Sequence, residues 1–113
     1  PDCCFISFDA ARRGAAEAAA EVLRRADVVL CTYAELERSR LVASVEWYRV
    51  CLDEMQHLRS PTTKLARTCE KLRCIRRWMV SGTPLYQGLE DLRGELNFLR
   101  VSPFGAGHED GFW

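Results

Sequence analysis

Trp47–Gln56 reads Trp-Tyr-Arg-Val-Cys-Leu-Asp-Glu-Met-Gln, and Arg76–Pro84 reads Arg-Arg-Trp-Met-Val-Ser-Gly-Thr-Pro. Each is an apolar run that stops abruptly in small or acidic polar residues. The runs proper are Arg49–Asp53 and Arg77–Ser81, and a near-continuous apolar centre of that length is the pattern of a strand buried on both faces. Asp27–Tyr33 (Asp-Val-Val-Leu-Cys-Thr-Tyr) is a third such run, β-branched at its centre. Working outward, Ser60–Leu72 places Leu65, Ala66, Cys69 and Leu72 at helical spacing, and Leu89–Leu99 places Leu89, Leu92, Leu96 and Leu99 on one stripe. Asp9–Arg25 is rich in alanine, the strongest helix former, with Asp9 as a plausible N-cap. Its apolar face is mostly methyl-sized and buries little. Strands alternating with helices predict an α/β fold, a parallel sheet of about three strands flanked by helices. Right-handed crossovers predict that Asp27–Thr32, Arg49–Asp53 and Arg77–Ser81 lie side by side in that order.

The chain has 113 residues, room for one domain with a modest core. Apolar residues at 48% and charged residues at 28% exclude a disordered chain. Sixteen basic residues balance 16 acidic ones, so net charge nominates neither nucleic acid nor a membrane surface as partner. No apolar run approaches the ~20 residues a membrane helix needs, so no membrane partner is expected. The first residue is Pro1 rather than Met, without a basic-then-apolar leader, and the sequence reads as a piece of a longer chain rather than a secreted precursor. The six cysteines (Cys3, Cys4, Cys31, Cys51, Cys69, Cys74) form no Cys-x-x-Cys, and both histidines lie far from any cysteine pair. That spacing excludes a zinc site and leaves free thiols, which imply a reducing compartment. Cys31 and Cys51, inside apolar runs, are expected to behave as small buried hydrophobes.

Parallel sheets bind ligands at the carboxyl ends of their strands. One predicted strand delivers Asp53-Glu54-Met55-Gln56 there, and another delivers Ser81-Gly82-Thr83-Pro84. Two carboxylates on a rigid apolar mount can divide labour in phosphate chemistry: Asp53 to hold Mg²⁺, Glu54 to orient and polarise the attacking water. An acidic turn after a strand produces the same pattern with no chemistry at all. The Ser81–Thr83 turn has free hydroxyls and small side chains that suit a place beside a nucleotide, though a simple strand-to-helix turn reads alike.

Taken together and in order, Asp27–Tyr33, Trp47–Gln56, Arg76–Pro84 and Gly88–Leu99 with Ser102-Pro103-Phe104-Gly105 resemble the first motor lobe of the SNF2 group of superfamily-2 ATPases. Four motifs in register are far more specific than any one. The resemblance runs from about Asp27 to Trp113 and implies a partial RecA-like lobe, with residues 1–26 as a peripheral helix or insert and 27–113 as the C-terminal half of the lobe. Gln56 after the acidic pair is most like the branch that includes histone-linker, PHD and RING ubiquitin ligases of DNA repair. Carried over residue by residue, the resemblance implies Asp53 as the Mg²⁺ ligand and Glu54 as the water-activating group. It implies that Gln56 couples the nucleotide site to Ser81, Gly82 and Thr83, and that Thr32 and Tyr33 lie near a DNA backbone. ATP and Mg²⁺ are then the cofactors, duplex DNA or chromatin the partner, ubiquitin-conjugating machinery a further partner through other domains, and the nucleus the location. Met55 departs from the usual small Ala, and Gln87 stands where many members have Asn; neither removes a catalytic group.

No G-x-x-x-x-G-K-(S/T) motif occurs in the 113 residues. The chain alone is therefore expected to bind Mg²⁺–ATP no tighter than millimolar and not to turn it over, the parent protein being the ATP-driven translocase. A catalytically silent DNA-binding or ubiquitin-ligase scaffold is the alternative reading; a thiol oxidoreductase is a third, disfavoured by the cysteine spacing. His57 and His108 read as solvated loop residues. Arg73, Arg76 and Arg77 read as a solvated helix end, because 14 of the 16 basic residues are arginine. Trp47, Tyr48 and Trp78 read as packing between sheet and helix.

Overall fold

The computed structural model describes residues 4–8, 16–54, 58, 60, 62–83 and 91–104. They form four strands and five helices: β1 (Phe5–Ser7), α1 (Ala16–Arg25), β2 (Val28–Leu30), α2 (Tyr33–Arg38), α3 (Leu41–Ser44), β3 (Trp47–Asp53), α4 (Lys64–Glu70), β4 (Cys74–Val80) and α5 (Asp91–Leu99). The chain divides into two compact units at Glu46 and Trp47. Asp9, Gly14, Met55, Gln56, His57, Pro84, Gln87 and His108 lie outside the described residues.

In the first unit β1 and β2 pair in parallel, Phe5 with Val28 and Ser7 with Leu30. The pairing is hooked at its start by Asp27, whose Oδ2 accepts from the Cys4 N–H at 2.8 Å. α1 buries Ala19, Ala20 and Leu23 and turns Glu21 outward, where it pairs with Arg25 at 2.9 Å. The sequence led us to expect a face that buries little; Leu23, at 1% exposed among the alanines, anchors the helix more firmly than that. Two short helices were not expected. Thr32, read as the end of a strand, is instead the N-cap of α2: its hydroxyl accepts from the Glu35 N–H, and Glu35 reaches back to the Thr32 N–H at 2.7 Å. This reciprocal capping box satisfies two orphan donors at once and ends the strand at Leu30.

In the second unit β3 and β4 pair in parallel over their full seven residues, from Trp47 opposite Cys74 to Asp53 opposite Val80. α4 starts at Thr63, whose hydroxyl caps the Ala66 N–H, and buries Cys69, with Leu72 buried just beyond it. α5 packs on α4 and β4. Its deepest positions are Gly94, Glu95 and Phe98, while Leu92, Leu96 and Leu99 are half-buried. The buried face is thus turned one residue round from the expected leucine stripe, because Phe98 docks on β4.

The α/β class and the parallel strands are as expected, but among the described residues the strands form two two-stranded sheets rather than one sheet of three. Val28–Leu30 pairs with Phe5–Ser7, a strand too short and too close to the chain start to register in the sequence pattern. Cys51 is exposed rather than buried, and Tyr48 and Trp78 are 63% and 52% exposed rather than packed between sheet and helix. For Cys51 and Trp78 the reason is common: they share one face of β3–β4, and among the described elements the helices cover the other.

Candidate functional site

Strand β3 delivers the acidic pair. Leu52 is 5% exposed and fixes the strand from its covered face, while Asp53 and Glu54 emerge exposed at the carboxyl end. Glu54 has φ of 52°, a left-handed conformation uncommon outside glycine, which turns the chain sharply off the strand. The Asp53 Oδ1 accepts from the Glu54 N–H at 3.0 Å and supports that turn. One residue of sequence therefore sets the backbone of the next.

Strand β4 delivers the hydroxyl turn beside it. Asp53 is the register partner of Val80, so Ser81 leaves the sheet at the same end. Strand spacing and rise put the Asp53 and Ser81 Cα atoms about 6 Å apart. The Ser81 Oγ accepts from the Thr83 N–H at 3.1 Å, closing a small turn over Gly82. A Cβ built on Gly82 would meet nothing within 4 Å. Among the described residues, then, no close packing demands glycine there.

Arg77 holds this strand in place, a role the sequence did not suggest. Its guanidinium donates to the carbonyls of Cys69 and Leu72 at the end of α4, and it lies 4.9 Å from the Phe98 ring centroid of α5. Burial lowers its pKa from the ordinary arginine value. It is a staple joining β4, α4 and α5, not part of a solvated helix end. Arg73 precedes β4, and Arg76 lies within it, exposed.

Thr32 and Tyr33 belong to the first unit. The Thr32 hydroxyl is engaged in the α2 cap, donating to Glu35 Oε2 at 2.7 Å, which accounts for the residue without any ligand. Tyr33 opens α2 and is half-buried. Gln56 lies outside the described residues.

The Cys31 thiol is pushed up to about 11, by burial first and by the Glu35 carboxylate second. A thiol raised in this way is a weak nucleophile at neutral pH. Among the described residues no three His, Cys, Asp or Glu side chains gather as a metal site.

The model of the SNF2-related domain matches residues 4–110. The chain belongs to the SNF2-related domain family. Among SNF2 relatives it is 50% identical over 70 residues to the E3 ubiquitin-protein ligase SHPRH of Homo sapiens, covering 62% of this chain and 4% of the ligase. It is 35% identical over 96 residues to the DNA repair protein RAD5A of Arabidopsis thaliana, covering 77% of this chain and 9% of that protein. In structure it is similar to the Sulfolobus solfataricus SWI2/SNF2 ATPase core in complex with dsDNA, with a TM-score of 0.73 and 30% identity over 88% of this chain and 20% of that one. The chain thus spans a small fraction of these SNF2 proteins. The family match takes in the alanine-rich segment as well as the four motifs, and the fold class stands on the structural likeness as well as on the strands themselves.

Proposed function

We propose that this chain is part of the first motor lobe of an ATP-driven translocase that works on duplex DNA or chromatin in the nucleus. One observation carries the reading: the parallel register of Asp53 with Val80 brings the acidic pair and the Ser81–Thr83 turn out of adjacent strands at one end. A separation of about 6 Å lets one bound nucleotide touch both. Asp53 supplies the hard oxygen donors that Mg²⁺ prefers, and Glu54 beside it is exposed. Mg²⁺, when bound with ATP, would neutralise phosphate charge. Glu54 accepts the hydrogen bond of the attacking water and orients it, and the Ser81 and Thr83 hydroxyls sense the occupied site. Gln56 is assigned to couple the two motifs, and Thr32 and Tyr33 to lie near the DNA backbone. Gly82, unexplained by packing, is assigned to leave room for whatever approaches the turn. The identity with a ubiquitin ligase supports a link to ubiquitin-conjugating machinery through other domains.

The test is Glu54→Gln in the longer protein. Turnover should fall by a factor on the order of 10²–10⁴ while ATP binding is kept. Unchanged DNA-stimulated turnover would defeat the assignment of Glu54 and leave the catalytically silent scaffold.

A further inference from the structure

Arg77 sits mid-strand in β4, and its guanidinium reaches the carbonyls of Cys69 and Leu72 and the ring of Phe98. Those three residues are buried, each 3% exposed or less. The contacts lie inside the second unit, so they do not depend on what covers its surface. An aliphatic side chain would fill such a place without the cost of desolvating a cation. What the guanidinium adds is direction. Its planar fork grips two backbone oxygens while its face lies against a ring, which holds three elements at fixed distances at once.

This clamp straddles the Ser81–Thr83 turn. β4 runs into the turn and α5 is the next described helix after it, so Arg77 and Phe98 pin together the two flanks between which the turn lies. Along β4 the connection is stiff: Arg77, Trp78, Met79 and Val80 pair in unbroken register with Val50, Cys51, Leu52 and Asp53. Arg77, Met79 and Ser81 share one side of the strand direction, with Ser81 about 13 Å beyond Arg77. Close packing does not fix the turn itself at Gly82, where an added Cβ would meet nothing within 4 Å. A turn so built takes its position from its flanks.

We infer that Arg77 is the positioning residue of this turn: by clamping β4 to the end of α4 and to α5, it holds the Ser81 and Thr83 hydroxyls level with the Asp53 carboxylate. The inference rests on the sensing role proposed above for the turn and extends it, since Arg77 itself touches no nucleotide. Asp53 and Glu54 ride on β3, whereas the clamp acts on β4. A loosened clamp therefore impairs first the coupling of hydrolysis to DNA, and only then hydrolysis itself.

The test compares DNA-stimulated with basal ATP turnover in the longer protein. Arg77→Lys keeps the charge but loses the fork, and Phe98→Leu keeps an apolar side chain but loses the ring face. Circular dichroism checks that both fold. Each should lower the ratio of stimulated to basal kcat about tenfold, the scale of a small misplacement, with the KM for ATP kept. Combined, they should do no more than the poorer single variant, because both break one link. Val42→Ala thins a buried position of the first unit, outside the clamp, and should lower the Tm while leaving the ratio alone. An unchanged ratio in both clamp variants would overturn the inference, as would a loss confined to KM, additive losses, or an equal loss in Val42→Ala. A wild-type protein without stimulated turnover would instead overturn the motor reading, and the inference with it.

Discussion

The two strand pairs are both parallel, yet they are built differently. β1–β2 pairs three residues and leaves Phe5 and Leu30 each 65% exposed. It is framed by polar side chains at its margins, the Asp27 hook before β2 and the Thr32–Glu35 capping box after it. β3–β4 pairs seven residues and is held from one side by Leu52, by the Arg77 staple and by Phe98. A short ladder relies on local hydrogen bonds at its ends; a long one can rest on packing along its length.

The largest expected effect separates the two kinds of anchor. Phe98→Ala should cost about 3–5 kcal/mol of unfolding free energy in a urea titration, and Leu23→Ala on α1 about 2–5 kcal/mol. A loss at Phe98 clearly smaller than at Leu23 would break the contrast.

Next comes the staple. Arg77→Ala removes two charge-assisted hydrogen bonds and a stacked side chain and should cost about 2–3 kcal/mol. Arg77→Lys should recover only part of this, because lysine keeps the charge but not the planar fork. Full recovery by lysine would mean that charge alone matters.

In the first unit Thr32→Ala should cost about 1 kcal/mol and Thr32→Ser much less, read by the same titration. Equal losses would show that the threonine methyl, not the cap, is what counts.

The smallest effect at neutral pH concerns Cys31. Iodoacetamide labelling followed by mass spectrometry should be slow there at pH 7 and rise about tenfold per pH unit towards pH 10. Folding raises this pKa, so the protonated thiol's contribution to stability is complete at neutral pH. It is lost as the pH climbs from the ordinary value of 9.0 through about 11. Full labelling at pH 7 would deny the burial that the first unit provides.

What the sequence disclosed follows from where side chains dominate. The apolar runs at Arg49–Asp53 and Arg77–Ser81 and the buried positions Cys69 and Leu72 were legible because periodicity reports burial directly. The strand Phe5–Ser7 was not, since three residues carry too little pattern, and its pairing with β2 is a long-range choice. The exposure of Trp78 and Cys51 was hidden for the opposite reason: a run that looks doubly buried shows what a sheet is suited to, not which elements cover it. Arg77 was illegible because its partners are backbone carbonyls, which no sequence pattern displays. The acidic pair and the Ser-Gly-Thr-Pro turn could be named from sequence, but their convergence needed the register.

That register has a consequence for how such a chain can change over generations. Side-chain direction along β3 and β4 repeats every two residues, so a single inserted or deleted residue within Trp47–Asp53 or Cys74–Val80 inverts everything downstream in that strand. Leu52 would swing to the open face, and Asp53 would arrive out of step with Val80. Substitutions here are graded, whereas changes of length are all or nothing. The two strands therefore keep a reading frame of their own, one written in the pleat rather than in codons.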